Sequence, residues 1–120
     1  MLGPGRMLAP ERHRLARLRG GATRLRLRAD YHRRKRDAAR DAFDAANRRV
    51  RLLEMSEDAA VDELVEGRKA LMWSRDSLEH HETHLRATEH LRNLIRRDRS
   101  RLAGGREPEN WEAYAHELDE

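Results

Sequence analysis

The sequence predicts an all-α protein, an antiparallel coiled-coil helical hairpin with short flanking helices at both ends. Three observations carry this prediction. Apolar and small residues match in mirror order about a point near Ser56: Leu53 with Ala60, Val50 with Leu64, Ala46 with Gly67, Phe43 with Leu71, and Ala39 with Ser74. Each pair of numbers sums to 113 or 114, and two helices running in opposite directions require a constant sum. Next, Leu64, Leu71, Leu78 and Leu85 recur every seven residues, interleaved with Ala60, Gly67, Ser74 and His81. Large residues at one heptad position and small ones at the other let two backbones approach closely. Finally, 40% of the residues are charged and 4% aromatic, which suits long helices burying one stripe each.

The elements follow in order. Gly3, Pro4 and Gly5 give a flexible start, and Pro10 suits the first turn of a short helix with a weak apolar face at Leu15 and Leu18. Gly20-Gly21 is expected to interrupt it, so that residues 1–21 stand apart. A long helix then runs over residues 22–55, about 50 Å at 1.5 Å per residue. Ser56 is the expected hinge and helix cap, with Glu57 and Asp58 at the positive end of the next helix dipole. That second helix reaches Ala103, where Gly104-Gly105 stops it, so the hairpin covers residues 22–103. Residues 104–120 form an acidic segment, with a short amphipathic helix beginning at Pro108. Its Trp111, Ala115 and Leu118 share one face with Tyr114 beside them. This is a docking helix, either for a partner or for the chain's own Leu91, Ile95 and Leu102 stripe. The expected seam is Ala39, Phe43, Ala46, Val50, Leu53, Ala60, Leu64, Gly67, Leu71, Ser74 and Leu78.

Charge is distributed unevenly. Residues 1–56 hold 16 basic and 6 acidic residues, and residues 57–120 hold 10 basic and 16 acidic. Side by side in a hairpin these halves attract, though exposed pairs contribute only a few tenths of a kcal/mol each. At the open end Arg12, Arg14, Arg17, Arg19, Arg24, Arg26 and Arg28 lie beside Arg92, Arg96, Arg97, Arg99 and Arg101, an expected basic patch. Of the 26 basic residues 24 are arginine, a bias that a GC-rich genome also produces. Arginine forms bidentate bonds with carboxylate and phosphate, so the patch has two targets: the acidic segment nearby, or nucleic acid bound through its phosphates.

Candidate chemistry is sparse. His80 and His84, four apart on one helix face, are candidates for holding zinc or nickel if a carboxylate such as Glu82 or a partner chain completes the shell. The zinc-protease HExxH pattern is one residue short in His81-Glu82-Thr83-His84, so no metal is expected. His81 is expected opposite His32, where joint protonation near pH 6 weakens the hairpin. No phosphate loop, nucleophile elbow or catalytic triad is recognisable, and neither an enzyme activity nor a cofactor is expected. Without cysteine there is no disulfide scaffold, and no apolar run is long enough for a membrane span. Leu27, Tyr31, Leu52, Val61, Met72, Trp73 and Leu94 lie off the seam and suggest a second face for other protein chains. The expectation is a structural, assembly or adaptor protein, cytoplasmic or in a phage virion, forming a homo-oligomer or larger assembly. The alternative is a basic helical protein binding nucleic acid non-specifically.

Overall fold

The computed structural model describes residues 9–118. The chain is an all-α hairpin: α1 (Ala9–Met55) and α2 (Val61–Ala103) pack together, followed by α3 (Trp111–Tyr114) and a 3-10 turn (Ala115–Glu117). Two compact units are distinguishable. A turn unit covers residues 30–85, and a terminal unit draws on residues up to 29 and from 86 onward.

The terminal unit holds the larger apolar core. Leu18 and Leu25 of α1 meet Leu94, Ile95 and Leu102 of α2, with Tyr114 and Leu118 closing over them. Ala22, Leu91 and Trp111 pack against this group while half-buried. Full burial of one such large side chain stabilises by about 1.5–3 kcal/mol, so this cluster dominates the unit's stability.

Gly20-Gly21 does not interrupt α1, and residues 9–21 form no separate helix. The flexible start expected at residues 3–5 lies outside the described residues. Gly21 is glycine because of close packing. A Cβ there would collide with Leu118 Cδ2 and stand 3.5 Å from Ile95 Cδ1 and 3.6 Å from the Glu117 carbonyl oxygen. Tertiary contact thus overrides the poor helix propensity of two glycines, which costs about 1 kcal/mol each against alanine.

The turn unit is thinner. Ala39, Val50, Gly67 and Ser74 are buried, and Phe43, Ala46, Leu53, Leu64, Leu71 and Leu78 are half-buried. Ala60 departs from its expected seam role: it is exposed and precedes α2, its carbonyl accepting the Leu64 amide at 3.2 Å. Ser56 is likewise no helix cap. It directly follows α1, its amide bonded to the Leu53 carbonyl, and α2 begins only at Val61. The acids at the positive end of α2 are therefore Asp62 and Glu63, not Glu57 and Asp58. Gly67 also meets different neighbours from the expected Ala46. A Cβ at this position would stand 3.3 Å from Val50 Cγ2 and 3.4 Å from Leu53 Cδ1. Side chains lean toward the N-terminus of their own helix, so in an antiparallel pair a side chain reaches partners beyond its own level. The Ser74 hydroxyl, buried on the seam, donates to the carbonyls of Ala70 at 2.9 Å and Leu71 at 3.0 Å.

At its C-terminus α2 ends in a Schellman motif. Gly105 takes the left-handed conformation at φ 76°, the Arg106 amide donates to the Arg101 carbonyl and the Gly105 amide to the Leu102 carbonyl.

Candidate functional site

Asp98 organises the segment that leaves α2. It is fully buried, and its carboxylate accepts bonds from the Glu109 amide at 3.0 Å, the Asn110 amide at 2.9 Å, Asn110 Nδ2 at 3.1 Å and the Tyr114 hydroxyl. These bonds hold residues 109–110 outside the helix, so α3 starts at Trp111 and not at Pro108. Burial pushes the Asp98 carboxyl upward, but the four donors outweigh it and hold its pKa below the usual value. Burial and the Asp98 carboxylate together raise the Tyr114 hydroxyl.

The docking-helix residues are turned inward on the chain itself. Tyr114 and Leu118 are buried in the terminal core, and Trp111 and Ala115 are half-buried. The Arg14 and Arg17 guanidiniums stack over the Trp111 ring at 5.6 and 5.4 Å. Glu117 accepts a bidentate pair from Arg28 at 2.8 Å and its backbone carbonyl accepts from Arg24. That bidentate bond is the main reason the Glu117 carboxyl sits low and the Arg28 guanidinium high. Arg14 pairs with Glu107 at 3.1 Å, Arg17 donates to the Leu118 carbonyl, and Arg101 reaches both the Glu107 carbonyl and Glu109.

The basic patch is therefore two sets of arginines. Arg14, Arg17, Arg24, Arg28 and Arg101 hold the C-terminal segment. Arg19 and Arg26 of α1, with Arg92, Arg96 and Arg99 of α2, line an open groove of about 310 Å³. Thr23 lies in this groove, its hydroxyl donating to the Arg19 carbonyl at 3.0 Å. Arg92 pairs with Glu89 at 2.9 Å, one turn away. Arg97 borders a separate hollow with Arg101 and Glu109, and Arg12 is exposed.

In the turn unit the histidines gather closely. His32 Nδ1 and His81 Nδ1 stand 2.9 Å apart, so one ring donates and the other accepts. His84 stacks on His32 with ring centres 5.1 Å apart, and His80 lies 4.3 Å from His84. Burial lowers the His81 pKa first, aided by the neighbouring His80, Lys35 and His84 charges. Among the described residues no group of three or more His, Cys, Asp or Glu side chains is placed to hold a metal ion.

Sequence reasoning missed Asp98. Its signal was a lone acid in the arginine-rich run Arg96–Arg97–Asp98–Arg99, at a helix position where Ile95 and Leu102 turn inward. No helix among the described residues is long and apolar enough to cross a membrane. No family model, curated protein or solved structure matches this chain.

Proposed function

We propose that this protein is a non-enzymatic assembly or adaptor component that acts through helix-helix contacts, as in a phage particle or another multi-chain assembly. One observation supports the reading most: α2 carries a second apolar stripe away from its seam. Val61, Val65 and Met72 fall within about 40° of arc on a helix of 3.6 residues per turn, and all three are exposed. Trp73, about 80° further round the helix from the edge of this stripe, is 81% exposed. A groove lined by the small residues Ala39, Ala42, Ala70, Ser74 and Ser77, with Glu66, Lys69 and Trp73, lies on that side, and small side chains of this kind admit a helix closely. Exposed apolar surface beyond scattered single residues is the ordinary mark of a contact site.

Light-scattering mass across a concentration series tests the proposal. A defined oligomer is expected, reduced to monomer with helicity intact when Val65→Glu and Met72→Glu are combined. A monomer at every concentration, with no change on that double substitution, overturns self-assembly through this stripe.

A further inference from the structure

We propose that the arginine groove of the terminal unit binds the phosphate backbone of a nucleic acid strand. The C-terminal segment engages Arg14, Arg28 and Arg101 through Glu107, Glu117 and Glu109, and Arg17 and Arg24 through backbone carbonyls. It does not reach the groove: among the described residues the guanidiniums of Arg19, Arg26, Arg96 and Arg99 have no hydrogen-bond or ion-pair partner, Arg92 alone pairs with Glu89, and no carboxylate lines the groove. Like charges held together repel, and a bound anion removes that repulsion.

The groove's chemistry selects phosphate. Guanidinium presents a planar fork that meets phosphate oxygens two at a time. Its dimensions select a chain of phosphates over a single one. Arg19 and Arg26 are two helical turns apart, as are Arg92 and Arg99, and each row spans about 10 Å at 1.5 Å per residue. The Thr23 hydroxyl spends its proton on the Arg19 carbonyl, and no aromatic ring lines the groove. Recognition therefore rests chiefly on guanidinium contacts to the backbone, with no aromatic platform on which successive bases would stack.

The test is fluorescence anisotropy of labelled oligothymidylate with the full chain, between about 50 and about 200 mM salt. Three double variants each remove two positive charges: R26Q with R96Q, R19Q with R99Q, and R48Q with R51Q as a turn-unit control. Wild type should bind, and each groove pair should lower the log-log salt slope by about 0.7 per lost contact on single strands. The control pair should leave the slope unchanged. Circular dichroism checks the fold, and if one groove pair unfolds the other decides. Absence of binding at the low salt, equal losses from groove and control pairs, or equal competition by polyglutamate overturns the proposal. Competition by inorganic phosphate at the same phosphate concentration also overturns it, since it would make the groove a single-phosphate site.

Discussion

At the scale of residues, adjacent glycines in one helix have opposite reasons to exist. Gly20 has open space where its Cβ would be, whereas Gly21 is filled by Leu118, Ile95 and the Glu117 carbonyl. Gly20→Ala should therefore raise stability by about 1 kcal/mol through helix propensity alone. Gly21→Ala has the same propensity gain but must displace Leu118 from the core, and overpacking costs about 1–3 kcal/mol. Thermal unfolding of the two variants should place Gly21→Ala at least about 1 kcal/mol below Gly20→Ala. Equal gains would mean that Leu118 does not pack on Gly21.

At the scale of elements, the C-terminal segment is held by one carboxylate acting as a cap from a neighbouring helix. Asp98→Ala strands the Glu109 and Asn110 amides and the Tyr114 hydroxyl, and each buried orphan costs about 1–3 kcal/mol. Release of the segment should appear as a red shift of Trp111 fluorescence, read in a Trp73→Phe background. Tyr114→Phe removes a single bond to a charged group, a loss of about 1.5–3 kcal/mol, and should leave the segment docked. A larger effect from Tyr114→Phe than from Asp98→Ala would contradict this hierarchy.

The elements also mark what was legible in the chain. The antiparallel pairing was, because mirror order survives errors of a residue or two. Gly104-Gly105 was, because the left-handed cap is local chemistry that only glycine meets without strain. Gly20-Gly21 and Ser56 were misread, because breaker and capping rules describe a helix in isolation, while tertiary packing kept one intact and a longer turn took the other. Of the basic patch, the density of arginine was visible, but its division was not: that depends on where Glu107, Glu109 and Glu117 land after the Asp98 cap sets the path.

At the scale of the whole molecule, acid should act on the two units in sequence. His81 has its pKa lowered in the folded chain, chiefly by burial, so the unfolded state binds more protons just below the ordinary value of 6.5. Its contribution is complete above that value and is lost as pH falls through it. The groups facing His81 are His32, His80, His84, Lys35 and Tyr31, and none is acidic. Protonation of both His32 and His81 also abolishes their shared bond. Asp98 and Glu117 are lowered too, but from carboxylate values of 3.8 and 4.5, so the terminal unit loses their contribution only in stronger acid. Helicity should therefore begin to decline as pH falls below the ordinary histidine value of 6.5, while Trp111 fluorescence changes only once pH has fallen below the ordinary carboxylate values of 3.8 and 4.5. His81→Gln should flatten the first limb alone. Coincident transitions for both probes would show that the units do not respond separately.

The latch between Arg28 and Glu117 joins residues 89 apart in sequence, and the Arg17 bond to Leu118 joins residues 101 apart. The seam contacts of Gly67 with Val50 and Leu53 close loops of fewer than twenty residues around the turn. Closure entropy grows with loop length, so nucleation belongs near the turn although the larger core lies elsewhere. The turn unit is then expected to form before the terminal unit, whose buried residues are the last to be covered. Substitutions at the small residues of the seam should therefore slow folding, whereas those at Tyr114, Leu118 and Asp98 should chiefly speed unfolding, as stopped-flow rates of the two sets would show.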